Sequence, residues 1–303
     1  MGLARLLAAL PKDFVLTLVD VGSAGGINPR WRPLRPVVSA VLFDPRETTA
    51  SGALGRGETR VYPVALGDQA GEAKLHITAL PNMSSFLPPD GEVFGRYRKK
   101  GIDAQIVRSE MVPVERLDAL AEADGFRPHV LKVDTQGSEL MVLKGAEKCL
   151  KSVLLAEVEV SFFQRYVGQP IFSDIEAWMK QQGFELIELH RLKRYRAANS
   201  LGIRHSLTGD AQRSGRVSYG DAIFLRKEDP ILRAAATDDG ASVLRAVVAL
   251  IAYGKADIAA ALLDKGRDLL PAGRTSAIGK ALEGLNRWRL IPRITGLLKP
   301  GRH

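Results

Sequence analysis

Two hydrophobic rhythms divide the chain. Up to Lys227, apolar runs of strand length recur between polar stretches: FVLTLVDVG (Phe14–Gly22), VVSAVLFDP (Val37–Pro45), TRVYPVALGD (Thr59–Asp68), HVLKVDTQG (His129–Gly137) and SVLLAEVEV (Ser152–Val160). Continuous rather than alternating runs suit strands covered on both faces, which predicts a mainly parallel central sheet. The third run passes through GDQAG into an alternating strand, EAKLHIT. FELIELHRL (Phe184–Leu192) and GDAIFLRK (Gly220–Lys227) read as two antiparallel edge strands, joined by a basic excursion from Lys193 to Tyr219. After Asp229-Pro230 the apolar residues fall at helical spacing, with Gly254 and Gly266 marking helix ends. The prediction is an α/β domain over residues 1–229, its seven-stranded sheet flanked by helices on both faces, and a helical appendage over 230–303. The amphipathic start, MGLARLLAALPKDF, is expected to form a helix covering the edge or bottom of the sheet, in preference to a signal peptide or membrane contact.

Composition narrows the class. A chain of 303 residues with 46% hydrophobic residues can bury a substantial core. A single cysteine, Cys149, excludes an internal disulfide framework and a thiolate metal cluster, and points to a reducing, cytoplasmic setting. No apolar stretch approaches the ~20 residues of a membrane helix. Of the net charge of +9, residues 226–303 carry +6 (14 basic, 8 acidic), and in this tail charges alternate with apolar positions. That pattern reads as a solvated helical face, and the tail is expected to meet the sheet domain, a second subunit or a partner protein. The five histidines are scattered without ligand spacing, so no metal site is expected.

The first run ends on Asp20 and turns through Gly22, Gly25 and Gly26 toward an expected helix. Such a turn lets a ligand lie against backbone N–H groups. Ala24 and Ile27 break the dinucleotide G-x-G-x-x-G spacing, and no G-x-x-x-x-G-K-[ST] phosphate loop is present. Asp20, Gly22 and Gly26 instead fit the first motif of class I S-adenosylmethionine-dependent methyltransferases. Asp44 ends the next strand, where a ribose-binding carboxylate is expected. The cofactor contacts assigned are Asp20, Gly22, Ser23, Gly25, Gly26, Asp44, Ala65 and Leu66.

From about Phe14 to Lys227 the chain resembles the FkbM-type family of S-adenosylmethionine-dependent methyltransferases. The resemblance rests on the order of DVGSAGG, LFDP, VALGDQAGEAKLHI, NMSSF, VERLDAL, LKVDTQGSELMVLKGAE and EVEVSFFQRYVGQPIFSDIEAWMKQQGFELIEL. It implies a Rossmann-like class I methyltransferase sheet and methyl transfer to an oxygen of a small molecule, sugar or glycan. One departure stands out: the commoner family form is Asp-x-Glu-Gly, and here that position is Gln136.

Reacting groups in open α/β sheets gather at the carboxyl ends of the strands. Alternation puts Val130, Lys132 and Asp134 on one face, and Glu157 and Glu159 on one face of the next strand. A buried lysine needs a partner, so Lys132 is expected to pair with one of these glutamates. Asp134 is the candidate that orients or deprotonates the acceptor, with Lys132 and Glu159 beside it and His190 as a further candidate base. Substrate contacts are assigned to Ser84 and Ser85, in the proline-bounded loop LPNMSSFLPPD, and to His205. The basic segment NPRWRPLRP (Asn28–Pro36) reads equally as a face for an anionic acceptor or a solvated helix start. Nucleic-acid base methylation is disfavoured because DTQG stands where [DNS]-P-P-[aromatic] would be. RNA ribose methylation and a non-catalytic cofactor-binding module of the same fold are the remaining alternatives.

Overall fold

A computed structural model describes residues 2–23, 26–46, 51–205, 214–271 and 273–287. In chain order the elements are α1 (Gly2–Ala9), β1 (Leu16–Val21), β2 (Val38–Phe43), β3 (Ser51–Gly52), β4 (Thr59–Tyr62), β5 (Ala65–Leu66), β6 (Gly71–Thr78), α2 (Gly91–Gly95), α3 (Lys100–Asp103), β7 (Ile106–Glu115), α4 (Leu117–Ala123), β8 (Val130–Val133), α5 (Glu139–Gly145), β9 (Leu155–Ser161), α6 (Phe172–Gln181), β10 (Phe184–Tyr195), β11 (Arg216–Arg226), α7 (Glu228–Ala235), α8 (Ala241–Ala252), α9 (Ala256–Lys265) and α10 (Arg274–Arg287). They sort into two compact units. One holds Val15–Pro29 and Val38–Lys227; the other gathers α1, Arg30–Val37 and the described residues from Glu228 onward.

The first unit is a mixed α/β body built on a large sheet of order β10-β11-β9-β8-β1-β2-β4-β3. The pairs β1–β2, β1–β8, β2–β4 and β8–β9 are parallel, while β11 runs antiparallel to both β9 and β10. The chain builds outward from β1 through β2 and β4, then returns to the other side of β1 at β8. Such a reversal opens a crevice at the carboxyl ends of the strands. One sheet face carries Val19, Val21, Leu131, Val133, Val158 and Phe224, packed with Leu117, Val142, Leu143, Ile175 and Met179 of α4, α5 and α6. Each such side chain contributes about 1.5–3 kcal/mol by leaving water.

Several expectations change. Among the described residues the sheet has eight strands where seven were expected, the addition being the two-residue edge strand β3. β11 is not an edge strand, because it lies between β10 and β9. The third apolar run divides around Pro63: β4 joins the large sheet, and β5 pairs with β7 in a second sheet of order β5-β7-β6. No α-helix follows the glycine turn. Pro29–Val37 is 3-10 helical, with Pro33 and Pro36 inside it. Those two residues lack the N–H that an α-helix would use, and their rings crowd the preceding turn.

In the second unit, α8 buries seven residues, among them Val243, Leu244, Val247 and Leu250. The α1 segment, expected to cover the edge or bottom of the sheet, packs on α10 within this unit. A Cβ placed on Gly284 would lie 3.3 Å from the Gly2 Cα, so both glycines permit close approach of the two backbones. Trp31 is buried and meets Tyr253 edge-on at 6.1 Å, and Arg30 lies 4.3 Å from the Tyr253 ring centre. The part of the basic segment from Arg30 to Pro36 thus supplies core contacts to this unit. No described helix is long and apolar enough to cross a membrane.

Candidate active site

The parallel register of β1, β8 and β9 sets Asp20, Lys132 and Glu157 opposite one another. Lys132 Nζ donates to Asp20 Oδ1 at 3.1 Å and lies 3.9 Å from Asp134 Oδ2. The expected partner on β9 is therefore wrong. β1 flanks β8 as closely as β9 does, and Glu157 is taken by Arg191, whose Nη2 lies 3.0 Å from its Oε1. Arg191 Nε also donates to Asp221 Oδ2 at 2.6 Å. Burial raises the pKa of Asp20, against the opposing charge of Lys132. Burial works against the Lys132 charge too, but Asp20 and Asp134 outweigh it and its pKa is raised. One ammonium serves several carboxylates, so it keeps its proton firmly.

Asp134 lies just beyond β8 at the reversal point, with its N–H bonded to Val21 O at 3.0 Å. Its side chain is 32% exposed, against 13% for Lys132. Gln136, in the left-handed region at φ 58°, turns its amide back into the site. Gln136 Nε2 donates to Asp134 Oδ1 at 2.9 Å and lies 3.2 and 3.1 Å from the two oxygens of Glu159. Behind Glu159 stands Arg165, almost wholly buried. Its Nη2 donates to Glu159 Oε1 at 2.7 Å and its Nε to Ser161 Oγ at 2.9 Å, and its guanidinium lies 4.3 Å from the Tyr219 ring centre. Burial pushes the Glu159 carboxyl up to about 8; Arg165 opposes this, and Asp134 and Glu139 reinforce it. Glu139 accepts from the backbone N–H groups of Thr135 and Gly137 at 3.0 Å, which fixes the turn between β8 and α5.

The cofactor candidates spread over more structure. Gly22 has φ 78°, and a Cβ there would fall 2.0 Å from Asp134 O. Its need for glycine is met inside the protein, by close approach of the β1 and β8 ends. The N–H groups of Gly22 and Ser23 go to Phe43 O, and that of Gly26 goes to Ser23 O, so these three donors are used internally. Gly26 has φ 88°, and a Cβ there would meet nothing within 4 Å, which leaves open space at the turn. Gly25 falls outside the described residues. Asp44 ends β2 as expected from the run, but Arg46 grips it through Nε at 3.0 Å and Nη2 at 2.9 Å. Ala65 and Leu66 are buried in β5, paired with Val114 and Glu115.

Among the substrate candidates, Ser84 Oγ accepts from Thr78 N at 3.2 Å and Ser85 Oγ from Leu87 N at 3.1 Å; both hydroxyls shape their own loop. His205 is exposed, and His190 Nδ1 lies 3.9 Å from Glu188 on β10. The structure unites Asp134, Lys132, Glu159 and Asp20 at one end of β1, β8 and β9. Sequence reasoning missed Arg165. The signal lay in FFQRYVG, where an arginine stands among aromatic residues and has to find a buried acid. Among the described residues no group of three or more His, Cys, Asp or Glu could hold a metal ion.

Comparison with known proteins agrees on one point. No curated protein and no solved structure matches the chain. Residues 40–186, from β2 into β10, match the family model for the Methyltransferase FkbM domain. This region includes Asp44, Lys132, Asp134, Gln136 and Glu159, and stops short of the glycine turn and β11. Over these residues the chain is similar to the FkbM methyltransferase family.

Proposed function

We propose that the protein is an S-adenosylmethionine-dependent O-methyltransferase acting on a hydroxyl of a small molecule, sugar or glycan. One observation carries the reading: Asp134 presents a partly exposed carboxylate at the sheet reversal, with Oδ1 held by Gln136 and Oδ2 facing Lys132. The family match supports methyl transfer, and an alcohol acceptor needs a group that removes its proton.

The residues present fit the cofactor at two points. Gly26 leaves open space beside the β1 turn, and Asp44 brings a carboxylate to the end of the neighbouring strand. These would hold the amino acid end and the ribose, with Arg46 giving up its grip on Asp44 as the ribose hydroxyls take it. S-adenosylmethionine, when bound, supplies an electrophilic methyl group. The chain supplies orientation and the proton's destination. Asp134 Oδ2 accepts the acceptor's hydroxyl proton as the oxygen attacks. Lys132 Nζ, 3.9 Å from Asp134 Oδ2, and Gln136 Nε2, donating to Oδ1, fix the orientation of the carboxylate. Asp134→Asn keeps the shape and removes the base. It is expected to lower turnover by roughly 10²-fold while S-adenosylhomocysteine still binds. Full turnover in a folded Asp134→Asn protein would refute the assignment.

A further inference from the structure

The small sheet has an open edge. β6 runs along one side of β7, from Gly71 opposite Val114 to Thr78 opposite Ile106. On the other side β5 reaches only Val114 and Glu115. Among the described residues, no strand pairs with that side of β7 from Ile106 to Pro113. The stretch is also open to water: Ile106 is 41% exposed, Met111 58% and Val107 60%.

The backbone of this edge has a known direction. His76 exchanges both backbone hydrogen bonds with Ser85, at 2.9 and 3.2 Å, on the far side of β6. Ser109, opposite His76, therefore turns its N–H and C=O away from β6, and Met111, opposite Lys74 in the same register, does likewise. Pro113 is next in that series and has no N–H to present. At Glu115 the series meets β5, where Gly67 N donates to Glu115 O at 3.0 Å. At the other end the ladder shifts between Ile77 and Thr78, which leaves Val107 without an opposite residue on β6.

The exposed stretch IVRSEMV (Ile106–Val112) is symmetric in chemical type about Ser109. An antiparallel copy turned about Ser109 sets Ile106 against the partner's Val112, Val107 against the partner's Met111 and Arg108 against the partner's Glu110. Within one chain Arg108 Nη1 already lies 2.9 Å from Glu110 Oε2, so two copies bring together an alternating ring of two cations and two acids. Opposite charges across an antiparallel ladder stabilise it, and like charges destabilise it. An edge guarded by lysines repels a copy of itself; here the charges of the copy attract.

We infer that β7 is a dimerisation edge: two copies of this chain pair antiparallel through Ile106–Val112 about a two-fold axis at Ser109, joining their small sheets. At the axis Ser109 exchanges N–H···O bonds with the partner's Ser109. The occupant is a second copy because a two-fold contact needs a patch complementary to itself, and this stretch is. The inference is independent of the methyl-transfer reading.

The test is sedimentation velocity on the full chain, comparing wild type with Arg108→Glu, Glu110→Arg, the exchange Arg108→Glu/Glu110→Arg, and Ser109→Pro, each checked for folding by circular dichroism. The wild type should sediment as a dimer at about 100 µM, where a micromolar Kd leaves most chains paired. Each single reversal should weaken the dimer about tenfold or more, since it acts twice across the axis. The exchange carries both substitutions and should restore the dimer. Ser109→Pro removes an N–H that β6 does not use and should give monomers. A monomeric wild type at that concentration overturns the inference. So does a dimer that survives the reversals and Ser109→Pro, which would place the contact on another face, and so does a folded exchange variant that stays monomeric.

Discussion

The side-chain nitrogen of Gln136 stands 2.9 Å from one oxygen of Asp134 and 3.1 Å from one of Glu159, so a single neutral donor links two carboxylates of the site. A glutamate at this position, the commoner form in the family that the chain resembles, would add a third acid to the pair and remove both donor contacts. The departure noted in the sequence therefore has a local cause: the buried Glu159–Arg165 pair extends to Asp134 through an amide.

Gln136→Glu should destabilise the protein in a pH-dependent way. The Glu159 carboxyl is raised from 4.5 to about 8, chiefly by burial. A raised acid stabilises the fold below its unfolded value, and that contribution is lost as pH rises through the folded value. A further acid beside Glu159 deepens the loss. The variant should be about 1–3 kcal/mol less stable at pH 8 and closer to wild type at pH 5, read from urea denaturation. An equal deficit at both pH values would contradict the linkage.

The two glycines of the β1 turn should behave differently. Gly22→Ala drives a Cβ to 2.0 Å from Asp134 O, so the ends of β1 and β8 have to separate. Gly26→Ala meets open space and carries only the strain of its positive φ, about 1–2 kcal/mol. Denaturation should show the larger loss for Gly22→Ala without any cofactor present. Equal losses would mean that the contact with Asp134 does not constrain the turn.

The parts legible in the sequence were those whose residues are buried on both faces. β1, β2, β8 and β9 are such strands, with only Lys132 less than fully buried. β7 was not legible, because most of Ile106–Glu115 is exposed and its pattern follows neither period. Nor could spacing separate β4 from β5, since the break around Pro63 changes which sheet the chain joins and not how apolar it is. In the site, Asp20, Lys132 and Asp134 were visible as charges at strand ends. The choice of Asp20 over Glu157 as the partner of Lys132 depends on register between strands about 110 residues apart. Arg165 became meaningful only when the turn after β9 folded it back onto Glu159.

Arg46 should oppose cofactor binding. Its fork occupies both oxygens of Asp44, the carboxylate assigned to the ribose. Arg46→Gln should tighten S-adenosylhomocysteine binding by calorimetry, by a few-fold, as expected for a half-exposed ion pair of modest strength. Weaker binding would show that Arg46 holds Asp44 in its binding position.

Truncation after Lys227 should harm the protein more than a detachable tail would. It removes Tyr253 from Trp31 and α10 from α1, and leaves Leu6, Trp31 and Leu34 without their unit. The truncated chain should melt lower or aggregate on heating, followed by circular dichroism and light scattering. A soluble truncated protein with unchanged melting would make the helical unit dispensable.

The most direct measurement is calorimetric titration of S-adenosylhomocysteine into the wild type, Asp44→Ala and Asp134→Asn. The wild type should bind. Asp44→Ala should lose on the order of 1.5–3 kcal/mol of binding through removal of a charged hydrogen-bond acceptor. Asp134→Asn should bind nearly as well as wild type, since its role is in proton removal. Failure of the folded wild type to bind, or full affinity in folded Asp44→Ala, would contradict the account of where and how this protein holds its cofactor.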